Sequence, residues 1–136
     1  MHDSHFLSRI IGMGGDNPDE NLAASIQAHL VVLLNTRRGM IEHLPDYGLP
    51  DIHYVYYSLP KSLEILAEDI KNTVETYEPR LRKVVVKRVS QDKDVFRALY
   101  TIEAEIAEGS GISRLTFETM VYRDGRSHVA LVNRYG

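Results

Sequence analysis

At Pro79 the apolar period of this 136-residue chain changes from that of a helix to that of a strand. Upstream, Leu22, Ile26, Leu30, Leu33 and Leu34 recur every three or four residues, and Leu59, Leu63, Leu66, Ile70, Val74 and Tyr77 do so again. Such a stripe marks one buried helix face. Downstream, Phe96, Ala98, Tyr100, Ile102, Ala104 and Ile106 alternate with more polar neighbours, as do Leu115, Phe117 and Val121. That is the period-two pattern of half-buried strands. Helices first and strands after predict an α+β fold, with two main helices packed on one face of a mostly antiparallel sheet of about four strands.

Local signals set the boundaries. Asn17 can cap the first helix, Pro18 suits its first turn, and Glu20 stands where a capping-box acid belongs. That helix is predicted to stop near Asn35-Thr36. The second spans 59–77, because the residue before Pro79 is pushed out of the helical region. The intervening stretch 36–57 reads as irregular, a length of loop that is often functional. Val84-Val85-Val86 opens the strand region, and Val129 and Leu131 mark the last strand. Asp124-Gly125 predicts a two-residue hairpin turn. Glu108-Gly109-Ser110-Gly111 and Gln91-Asp92-Lys93-Asp94 predict two further turns. Residues 1–17 are expected to form a flexible arm carrying an apolar patch at Phe6, Leu7, Ile10 and Ile11, and residues 18–136 a single domain.

Composition removes several function classes. The chain has no cysteine, which rules out a disulfide scaffold, a Cys-ligated zinc site and a thiol nucleophile. A formal net charge of −3 is not the basic excess of a nucleic-acid binder. No apolar run approaches the ~20 residues needed to cross a bilayer, and the polar start is unlike a secretory signal. A cytoplasmic protein without membrane insertion is the expectation. His2-x-x-His5 lies in the arm, so no metal site is assigned, and no cofactor is implied. No Gly-x-Ser-x-Gly elbow or phosphate loop occurs. Glu42, Asp46 and Asp51 near Tyr47, Tyr54, Tyr56 and Tyr57 could form a carboxylate pair beside a sugar cleft, but there is no tryptophan to stack on a sugar ring. A small muramidase is therefore the alternative reading, and a homo-oligomeric adaptor a third.

Two motifs stand apart. Thr36-Arg37-Arg38-Gly39 places two guanidiniums just past a helix end, where they could complement the helix dipole or dock on a partner's carboxylates. Tyr77-Glu78-Pro79-Arg80-Leu81 fixes a helix-to-strand corner, from which Glu78 and Arg80 would project to a partner or pair with each other.

In these stretches the chain resembles a known family. Ser25-Ile-Gln-Ala-His-Leu-Val-Val-Leu-Leu-Asn-Thr-Arg-Arg-Gly39, then Pro45-Asp-Tyr-Gly-Leu-Pro-Asp51, then Tyr77-Glu-Pro-Arg-Leu-Arg-Lys-Val84 are similar, in type and order, to the signature of the TssE family. These are baseplate wedge subunits of bacterial type VI secretion systems, related to the GPW wedge proteins of contractile phage tails. The resemblance implies a structural, non-enzymatic subunit, bound to TssF and TssG and touching the first sheath subunits, TssB and TssC, on the inner face of the cell envelope. It implies that Glu78, Pro79 and Arg80 serve wedge assembly. Arg37, Arg38, Asp46 and Tyr47 are further candidate partner contacts. The terminal hairpin, 112–133, would offer an edge to the sheath through Val129 and Leu131, because strand addition supplies main-chain hydrogen bonds.

Overall fold

The computed structural model describes residues 18–52, 61–89 and 97–135. Two helices, α1 (Pro18–Asn35) and α2 (Lys61–Tyr77), precede four strands: β1 (Arg82–Arg88), β2 (Arg97–Glu108), β3 (Gly111–Tyr122) and β4 (Ser127–Tyr135). The strands form one antiparallel meander in the order β1-β2-β3-β4, so the fold is α+β. The expected arm, the cap at Asn17, the helical start at Leu59, the turn at Gln91–Asp94 and Phe96 all lie outside the described residues.

Periodicity explains what is buried. Ile26, Leu30, Leu33 and Leu34 of α1 and Leu66, Ile70 and Val74 of α2 sink into the core. There they meet one face of the sheet, where Tyr100, Ile102, Ile106, Leu115 and Phe117 are fully covered. The Tyr100 hydroxyl donates to the Leu63 carbonyl of α2 at 2.8 Å, so the one polar atom of this large core ring is satisfied. On the opposite sheet face, Lys83 and Lys87 of β1 reach Glu105 and Glu103 of β2, each at 3.8 Å. Exposed pairs of that kind contribute at most about 1 kcal/mol, so apolar burial, not charge, fixes which face meets the helices.

The two sheet edges differ. In β1 the register slips between Arg82 and Val85, and Lys83 there adopts a positive φ of 54°. A bulge with lysines is a common way to blunt an edge. At the other edge, β4 is longer than the Val129–Leu131 core of the expected strand. Its register slips between the Thr116 and Phe117 pairings, which shifts side-chain parity beyond Leu131.

The β3–β4 turn is a three-residue loop, not the expected two-residue one. The Tyr122 amide donates to the Arg126 carbonyl and the Gly125 amide to the Tyr122 carbonyl, both at 2.8 Å. Gly125 takes a φ of 93°, the left-handed position that follows a type I turn in such hairpins.

The long connection after α1 is held by a short parallel clasp. The Leu49 amide donates to the Thr36 carbonyl at 2.9 Å, and the Arg38 amide to the Leu49 carbonyl at 3.0 Å. Gly48 sits in this clasp at φ 105°, with no room for a Cβ against the Thr36 carbonyl. Gly48→Ala is expected to lower unfolding free energy by about 2 kcal/mol or more, from backbone strain and the clash together, as read by urea denaturation.

Candidate functional site

The helix-to-strand corner is where the chain concentrates buried charge. Tyr77 ends α2, Pro79 prevents its continuation, and the chain turns so that Glu78 points inward with 1% of its surface exposed. Among the described residues it is the one acid that is buried. An ionised carboxylate in that position must be paired and hydrogen-bonded, and it is. Arg80 Nη2 donates to Glu78 Oε1 at 2.7 Å, Arg80 Nε to Oε2 at 2.9 Å, and the Arg80 amide to Oε2 at 3.1 Å. His29 Nδ1 of α1 lies 2.9 Å from Oε1.

The network continues on both sides. His29 Nε2 is 2.9 Å from the Tyr47 hydroxyl, and Tyr47 packs edge-on against Tyr77 with ring centroids 4.9 Å apart. Arg80 Nη1 donates to Ser25 Oγ of α1 at 2.8 Å. An ionised carboxylate only accepts, so Nδ1 of His29 carries a hydrogen. With the imidazole neutral, Nε2 then accepts the Tyr47 hydroxyl hydrogen.

The charges follow from these contacts. Burial alone would raise the Glu78 carboxyl, but hydrogen bonds from Arg80 and His29, with the Arg80 charge, outweigh it and hold the group below the usual carboxylate range. The bond to Glu78 raises the Arg80 guanidinium against an opposing effect of burial. Burial and then the Glu78 charge raise the Tyr47 hydroxyl, which stays a donor. A catalytic acid needs the opposite, a carboxyl held protonated near neutral pH. What this arrangement does is lock a half-exposed guanidinium, 39% accessible, onto a rigid bend.

The expected site residues divide on this geometry. Pro79 and Arg80 are exposed at the corner, but Glu78 does not project from it. Asp46 is exposed, while its neighbour Tyr47 is buried against the network. Arg37 and Arg38 both make internal bonds, Arg37 half-buried and Arg38 still exposed. Arg37 Nη2 donates to the Gly125 carbonyl of the β3–β4 turn. Arg38 Nε donates to the Gly48 carbonyl at 3.2 Å, and its Nη2 stands 3.8 Å from Asp69 of α2. Neither arginine caps α1. Asn35 Nδ2 and Thr36 Oγ1 answer the Val31 and Val32 carbonyls instead, each at 2.7 Å. Val129 is buried and faces the core, and Leu131 is half-buried. Glu42 and Asp46 are both exposed on the loop. His29 is the bridge of the network. Its partners lie 49 and 18 residues away, so no local pattern announces them.

Comparison with known proteins places this geometry in context. Residues 20–109 match the family model of baseplate wedge protein gp25. A chain of the baseplate complex from the type VI secretion system is 23% identical, covers 85% of this chain and 98% of its own length, and superposes with a TM-score of 0.60. A Geobacter sulfurreducens protein provisionally named a tail lysozyme is 22% identical over 74% of this chain and 90% of its own, also at 0.60. At these identities the two likenesses are of fold. No curated protein matches the chain.

A depressed folded-state pKa makes Glu78 stabilising above the unfolded carboxylate value of about 4.3. That contribution is lost as pH falls from there through the lowered folded value. Glu78→Gln is expected to flatten this part of the acid limb of a stability–pH curve. Removing one partner of a buried pair costs roughly 3–5 kcal/mol, and the lower end is expected here because Arg80 is half hydrated.

Proposed function

The chain belongs to the family of baseplate wedge protein gp25, and from that membership we infer that it is a structural subunit of a type VI secretion baseplate. In this reading it works on the cytoplasmic side of the envelope. No helix among its described residues is long and apolar enough to cross a membrane. The exposed part of the corner, Pro79 and Arg80, docks on the wedge subunits TssF and TssG, with Asp46 as a neighbouring polar contact. Glu78, His29 and Tyr47 act beneath that surface as its support. The edge of β4 beyond Leu131 receives a strand from the sheath subunits TssB and TssC, and so helps polymerisation begin.

Family membership carries the structural reading, and the state of Glu78 carries the choice of the corner as its docking surface. The Glu78 oxygens are engaged by Arg80 and His29 and the group is held ionised, which suits a fixed presenting group and not an acid catalyst. Arg80→Lys keeps a cation beside Glu78 while removing the planar fork. It is expected to weaken co-purification with TssF and TssG at least tenfold (about 1.4 kcal/mol) at a temperature where the variant, though less stable for the lost bonds to Glu78 and Ser25, is still folded. Intact co-purification with a large fall in melting temperature would reduce Arg80 to a purely internal role.

The name carried by the Geobacter sulfurreducens neighbour keeps a muramidase as the second reading. A peptidoglycan turbidity assay separates the two. The wild-type chain is expected to clear cell walls no faster than buffer, whereas lysis abolished by both Glu42→Gln and Asp46→Asn would replace the structural reading.

A further inference from the structure

The first half of the β4 edge is closed by two side chains of α1. Asn35 Nδ2 donates to the Ser127 carbonyl at 3.0 Å, and the Ser127 amide donates back to Asn35 Oδ1 at 2.9 Å. Gln27 Nε2 donates to the Val129 carbonyl at 3.0 Å. A carboxamide that exchanges both hydrogen bonds with one residue repeats what a facing peptide does in the hydrogen-bonded pair of an antiparallel ladder. The two amides also keep the strand spacing, since Ser127 and Val129 are alternate residues whose main-chain groups face away from β3. Asn35 fills its donor capacity in doing so, because its second N–H answers the Val31 carbonyl.

Nothing in helix formation asks for this. Asn35 closes α1 and Gln27 lies two turns earlier, and among the described residues β4 is the last strand of the sheet on that side. Without the amides, that edge would present the same groups to any other copy of itself. Two such edges pair antiparallel about a two-fold axis, which makes the contact self-complementary. At the far edge the bulge at Lys83 serves the same protective end by another means.

We propose that Asn35 and Gln27 stand in for a fifth strand, preventing β4 of this chain from pairing with β4 of a second copy. The inference stands on these hydrogen bonds and does not require the baseplate reading.

The test uses the full chain and its Asn35→Ala/Gln27→Ala variant, compared by light scattering over a concentration series and by amide hydrogen exchange. In the wild type the Ser127 amide is expected to exchange at least 100-fold more slowly than an exposed loop amide, and the chain to show no dimer paired through β4. The double variant is expected to self-associate at least tenfold more tightly. Adding Ala130→Lys, which sets like charges across the new pairing, is expected to return it to the wild-type state. A folded double variant that associates no more than the wild type overturns the proposal. So does association indifferent to Ala130→Lys, or a wild-type Ser127 amide that exchanges like a loop. If the double variant does not fold, Asn35→Ala alone is read by exchange. A tenfold faster Ser127 amide with core amides unchanged supports the stand-in role, and an unchanged one overturns it.

Discussion

A carboxylate taken out of water must have its oxygens answered, and Glu78 is such a group at the joint between helices and sheet. Its partners come from different parts of the chain: Arg80 from the corner itself, His29 from α1, and through His29 the Tyr47 hydroxyl from the long connection. Arg80 in turn holds Ser25 of α1. Because a half-satisfied buried network is worse than none, these contacts form together, and the orientation of α1 against the corner follows from that requirement. Pro79 contributes by ending α2 where Glu78 can turn inward while Arg80 remains at the surface.

The motif stretches outside the corner carry the same kind of work. Thr36 and Leu49 clasp the connection, Gly48 permits their close approach, and Arg38 and Thr73 both donate to the Gly48 carbonyl. Arg37 reaches further, to the β3–β4 turn at Gly125. The two arginines expected at a docking surface thus also join three elements internally, with Arg38 still exposed. The exposed remainder is small: Pro79, the outer parts of Arg80 and Arg38, and Asp46.

Much of this was legible in the residues, and the failures have definite causes. Helix and strand periods placed both helices, the sheet and the core, because burial on one face leaves its period in the sequence. The end of β4 escaped notice because the register slip near Thr116 breaks the alternation that would reveal it. The inward turn of Glu78 was hidden because helix stripes say nothing about a residue just past a helix end. The alternation that assigned Val129 to a strand also implied that it faces the core, which makes its main chain, not its side chain, the edge-facing part. His29 and Asn35 act on partners 49 and 92 residues away, a distance over which a single sequence carries no readable signal.

The bracket between Asn35 and Ser127 spans 92 residues, tying the first described helix to the last strand. Translation delivers α1 long before β4, so this tie cannot form until β4 has been made. Until then β3 forms the outer margin of the sheet, and the amides of α1 wait without their strand. The helix made earlier therefore carries the amides that close the edge of a strand made later, and that edge is covered once β4 docks beside α1.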